Sequence, residues 1–186
     1  MRILDFFKKK NNQTAINKRE VLTLEKPDFT EVNLKKIEEY YDWSLKYGNR
    51  AINLDLNFEI ESTNELEINK IIDFVNSIPE FDCQNQHYIK ADLGQDVSIT
   101  SEYLNFYLDE LEENELAGII DLNDDKNSRI SLLMEKLNLI RVGIYPQASF
   151  FATFDYSIEI DGAPCDQLLV LNINQDGTLD YITWES

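Results

Sequence analysis

The chain predicts an α+β fold, with helices packed on one face of a mostly antiparallel sheet and a four-strand meander at the C-terminal end. Three observations lead there. Apolar residues recur at helical spacing through much of residues 29–137. From Leu139 onward the spacing falls to two, in segments separated by turn residues. Helices first and neighbouring strands last is the order of an α+β domain, because adjacent strands pair with each other and leave one face for the helices.

Each element has a local reason. Val32, Leu34, Ile37, Tyr40, Tyr41 and Leu45 repeat near the helical period, so the spacing predicts a helix across Phe29–Tyr47 with Gly48 as its cap. Ile52, Leu54, Leu56, Phe58 and Ile60 then alternate with Asn53, Asp55, Asn57 and Glu59, a strand with one apolar and one wet face. Ser62-Thr63-Asn64 supply cap chemistry for a helix on Leu66, Ile68, Ile71, Ile72 and Val75, which Pro79 should stop after Ile78. Glu80–Gly94 fits no single element. Ser98 or Thr100 opens a helix carrying Tyr103, Leu104, Tyr107, Leu108 and Leu111. A polar loop, Asp121–Ser128, precedes a helix through Ile130, Leu133, Met134 and Leu137, capped by Asn127 or Ser128. Strands at Leu139–Tyr145 and Ser149–Ile160 join across Pro146-Gln147. Those at Gln167–Ile173 and Thr178–Trp184 join through Asp176-Gly177, the clearest hairpin signal in the chain.

Composition and charge narrow the function. At 43% hydrophobic and 11% aromatic, the 186 residues can bury a core. No apolar run reaches the ~20 residues of a membrane span. MRILDFFKKK places its lysines after a short apolar patch, the reverse of a secretory leader, so the expected location is cytoplasmic. Cys83 and Cys165 suit a reducing compartment as two thiols. Six glycines leave little material for linkers, which favours one acidic body over residues 20–186 behind a basic tail over 1–19. That tail holds six basic side chains against Asp5, whereas the whole chain carries 17 basic and 35 acidic residues, a net charge of −18. Such a body repels nucleic acid and attracts basic partners.

The strings FDYSI (Phe154–Ile158) and DQLLVLNINQDGTLDYITWES (Asp166–Ser186) carry a resemblance. They resemble the end of an uncharacterised bacterial family, domain of unknown function two-thousand-four. Asp155, Tyr156, Asp166, Leu169, Val170, Asp176, Gly177, Thr183, Trp184, Glu185 and Ser186 stand at matching positions, over about a fifth of the chain. The segment Asp161–Cys165 is an insertion, and Leu171 replaces an expected valine. The resemblance implies a bacterial α+β protein without known activity, in a family some of whose members are suspected immunity proteins beside toxin genes.

The catalytic repertoire is thin. His87 is the sole histidine, so triad chemistry would have to pass through it. Cys83 and His87 lie four apart, a spacing that suits two zinc ligands on one helical face, or equally a half-buried thiol beside a surface imidazole. Asp121, Asn123, Asp125 and Asn127 start like a calcium loop, but Lys126 replaces the turn glycine and Leu132 the closing glutamate, so an acidic helix cap explains them as well. Phosphate loops and a GxSxG elbow are absent. These residues favour a protein that is no enzyme and needs no cofactor.

The binding candidate is the acidic helix: Glu102, Asp109, Glu110, Glu112 and Glu113 around Tyr103 and Tyr107, an aromatic anchor ringed by carboxylates that imitate phosphate. The same helix also reads as amphipathic, its tyrosines joining the core and its acids solvated. The wet row Asn53, Asp55, Asn57 and Glu59 would engage a partner if its strand lay at a sheet edge. The expectation is a non-catalytic acidic binding protein, an immunity-type inhibitor of a basic toxin. The alternatives are a small metal-dependent hydrolase using Asp121, Asn123 and Asp125, with His87 as a further candidate, and an adaptor acting through its basic tail.

Overall fold

A computed structural model of the chain describes residues 22–160 and 162–186; the basic tail over 1–19 lies outside them. A 3-10 turn at Phe29–Glu31 leads into strands β1 (Tyr40–Tyr47) and β2 (Arg50–Asn57). Helices α1 (Glu65–Leu93), α2 (Ile99–Glu110), α3 (Glu113–Ala117) and α4 (Lys126–Met134) follow. The chain closes with β3 (Leu137–Ile144), β4 (Ala152–Ile160), a two-residue β5 (Ala163–Pro164), β6 (Leu168–Ile173) and β7 (Leu179–Glu185). The sheet order is β1-β2-β3-β4-β6-β7, with β5 attached to β4. Only β2 and β3 pair in parallel among the described strands, and the helical segment between them is their crossover.

The fold class and the C-terminal meander are as the sequence reading expects. Helices α1 and α2 pack on the same face of the sheet. Phe74 of α1 meets Phe154 of β4 at 6.3 Å between ring centroids, and Tyr103 of α2 meets Trp184 of β7 at 6.2 Å. Across that face the row Trp43, Leu54, Val142, Phe154, Leu171 and Ile182 is in register from edge to edge. Its inner members Leu54, Val142, Phe154 and Leu171 are fully buried and form the centre of the core. The hairpin at Asp176-Gly177 forms as expected. Gly177 takes φ +83, and a Cβ there would stand 2.2 Å from the Phe81 ring, so the turn needs glycine both for its backbone and for its seat on α1.

Three element assignments differ. The helix expected across Phe29–Tyr47 is a 3-10 turn, a loop and strand β1. Tyr41 and Leu45 lie four apart, a spacing shared by helical and strand periods, and Tyr41, Trp43, Leu45 and Tyr47 alternate inward with the aromatic bias of strands. Gly48 therefore sits in the two-residue loop that joins Tyr47 to its partner Arg50, not at a helix end. Helix α1 does not stop at Pro79 but runs 29 residues to Leu93, with Asn64 as its N-cap. The proline forfeits one backbone hydrogen bond. What outweighs it lies downstream: Tyr47 and Tyr156 each donate to a different oxygen of Asp82, both at 2.8 Å, and Ile89 is fully buried. Finally, Leu137 belongs to β3, and Asp125 rather than Asn127 or Ser128 caps α4, accepting from the backbone N–H of both.

Candidate binding surface

The acids of the expected site are where the sequence places them. Glu102 stands in the first turn of α2, Asp109 and Glu110 in its last turn, and Glu112 and Glu113 at the start of α3. All five are exposed, and among the described residues none has an ion pair. Glu112 and Glu115 form a capping box. Glu102 and Glu113 also sit favourably at helix N-termini. Asp109 and Glu110 do the opposite, because they add negative charge to the negative end of the α2 dipole, whose last turn holds no basic residue.

The tyrosines are elsewhere. Tyr103 and Tyr107 are buried, and both hydroxyls donate to the carbonyl of Gln167, at 3.1 and 3.2 Å. Burial pushes both phenols up, Tyr107 to about 12 with the Cys165 thiol adding to the effect. The exposed carboxylates of α2 therefore stand without the aromatic anchor expected from Tyr103 and Tyr107.

The other candidate residues make local contacts. Cys83 and His87 share a face of α1, where His87 Nδ1 lies 2.8 Å from the Cys83 carbonyl oxygen. Asp121 accepts from the backbone and side-chain amides of Asn123, and Asp125 from Asn127, Ser128 and the Ser128 hydroxyl. Among the described residues no group of three His, Cys, Asp or Glu side chains is arranged to hold a metal. A groove of about 240 Å³ runs between Leu22–Lys26 and the Val75–Glu80 stretch of α1. Among the described residues, no helix is long and apolar enough to cross a membrane.

The feature sequence reasoning missed lies on the sheet face opposite the helices. Strand β2 is not at an edge; it lies between β1 and β3, and its expected wet row includes Asp55, 2% exposed. Arg141 of β3 explains that burial. Its Nε and Nη2 bind the two oxygens of Asp55 at 2.6 and 2.9 Å, and its Nη1 binds Oδ2 of Asp155 on β4 at 2.7 Å. Asn57 donates to Asp55 at 2.6 Å, and the Tyr145 hydroxyl stands 2.8 Å from Arg141 Nη2. Burial works against the Arg141 charge, but hydrogen bonds to Asp55 and Asp155 prevail and hold its pKa above the ordinary arginine value. Asp155, 4% exposed, is raised instead: burial dominates, and the charges of Glu185 and Asp55 add to it, against the pull of Arg141. Two carboxylates share one guanidinium, so the cluster keeps an excess negative charge.

No periodicity announces this group, because Asp55, Arg141 and Asp155 come from three strands and meet only through the register that pairs Arg141 with Asn53 and Asp155. The chain matches no protein-family model, no curated protein and no solved structure. The residues that carry the C-terminal resemblance have tasks in the fold: Asp155 binds Arg141, Tyr156 binds Asp82, Asp176 and Gly177 form the turn, and Trp184 donates to Gln167.

Proposed function

We propose that the protein is a non-catalytic acidic binding protein whose partner is a basic protein, in the manner of an immunity protein that neutralises a cationic toxin. The observation that supports it most is the placement of Asp109 and Glu110. Carboxylates at the C-terminal end of a helix oppose its dipole, and the last turn of α2 holds no basic residue to offset them. Charge kept where it weakens the fold is explained by a role outside the fold. Together with exposed Glu102, Glu112 and Glu113 and a net charge of −18, these residues give the body a field that draws in cationic surfaces. The family suggested by Phe154–Ile158 and Asp166–Ser186, with its suspected toxin antagonists, fits the same reading.

The test is to capture partners on the tagged protein in cells of its source and wash at stepped ionic strength. A strongly basic protein released between about 0.05 and 0.5 M salt is the expected result, since screening shortens the reach of surface charge. A neutral or acidic partner, or one held equally at both ends of the range, would overturn the reading.

A further inference from the structure

The capture reading leaves open where a partner sits, and the α2 acids lack an anchor because Tyr103 and Tyr107 are buried. Resting on that reading, we infer that the docking surface is the sheet face opposite the helices, and that it receives an arginine or lysine side chain of a basic protein beside Asp155.

Three independent observations meet there. The first is spare acceptor capacity. Asp155 uses Oδ2 for Arg141, while its Oδ1 has no hydrogen-bond partner among the described residues. Glu185, exposed on β7, acts on it electrostatically. A guanidinium placed between them would complete a charge balance that Arg141 alone does not. The second is an unpartnered hydroxyl. Thr153 shares this face with Asp155, stands opposite Gly143 in the register, is 9% exposed, and its Oγ1 has no partner among the described residues.

The third is an aromatic border. Tyr40 on β1 and Tyr181 on β7 lie at the two edges of the face, 55% and 47% exposed. Phe150 meets Tyr145 at 5.7 Å and Tyr181 at 6.4 Å between ring centroids. Exposed tyrosines around a central arginine and a buried charge are the composition of an interface centre, and here the charge left over is negative. Charge complementarity selects a cationic occupant.

The probe is an octa-arginine peptide titrated at about 0.05 M salt into isotope-labelled full-length protein, followed by amide shifts in NMR spectra. Expected are saturable shifts centred on Asp55, Arg141, Asp155 and Tyr181. Asp155→Asn and Tyr181→Ala should each weaken binding about tenfold while the dispersion of the spectrum is retained. Saturable shifts confined to Glu102–Glu113 would overturn the docking surface and leave cation capture standing. Shifts that do not saturate anywhere would overturn both.

Discussion

Arg141 lies over Gly143, so close that a Cβ on residue 143 would stand 2.8 Å from Nη2. The Tyr145 ring presses on the same spot at 2.9 Å. Glycine is required here by the approach of two side chains, and it lets one guanidinium reach carboxylates on both neighbouring strands.

Gly143→Ala should therefore lift Arg141 off Asp55 and Asp155. Both side chains that would clash are flexible at their ends, so we expect a loss of about 1–3 kcal/mol rather than unfolding, measured by urea denaturation. Arg141→Ala should cost about 2–3 kcal/mol at neutral pH, because it strands two buried carboxylates; the Arg141 side chain is 33% exposed, which keeps the loss below that of a fully buried pair. A change within 0.5 kcal/mol for Arg141→Ala would refute the pairing.

Asp155 sets a pH dependence of a particular sign. Its folded-state pKa is raised above the ordinary 3.8, first by burial and then by Glu185 and Asp55. The stability tied to such a group is complete below the unfolded pKa and is lost as pH rises through the folded value. Asp155→Asn removes that loss. Denaturant titrations between about pH 4 and 7 should show the variant gaining on the native protein as pH rises. A constant gap, or one that narrows, would contradict the raised pKa.

The anchor beyond Pro79 gives a paired prediction. Asp82→Ala leaves the buried hydroxyls of Tyr47 and Tyr156 without an acceptor and should cost about 3 kcal/mol, whereas Asp82→Asn retains one acceptor and should cost less. Pro79→Ala restores a backbone donor inside α1 and removes a poor helix former, at the expense of a buried ring; a gain of about 1–2 kcal/mol is expected. Equal losses for the two Asp82 variants in thermal or chemical denaturation would show that the tyrosines do not depend on it.

Charge on α2 should trade stability against binding. Glu110→Lys places a cation at the negative end of the helix dipole and should stabilise by about 0.3–1 kcal/mol. The same change should slow association with a cationic partner. A variant that is more stable and binds as fast would separate the acids from the function.

The sequence made the meander legible because Phe154, Tyr156 and Ile158 alternate cleanly and Asp176-Gly177 marks its last turn. It misled at Tyr40–Tyr47, where the spacing of Tyr41 and Leu45 satisfies both periods and only pairing with β2 decides. It misled again at Pro79, since the contacts that carry α1 past the proline come from Tyr47 and Tyr156, far away in the chain. The acids of α2 and α3 were visible one by one, but Tyr103 and Tyr107 serve the core face that the same periodicity allowed. The Asp55–Arg141–Asp155 group had no local signal at all. It is a product of strand register, and Asp55 looked like one more solvent-facing acid in an alternating strand.

The most direct measurement of the account is the association rate of the basic partner recovered by capture, followed against ionic strength. Between about 0.05 and 0.5 M salt the rate constant should fall by tenfold or more, because the acidic body accelerates encounter through a field that salt screens. A rate constant that stays flat over that range would show that negative charge does not drive recognition.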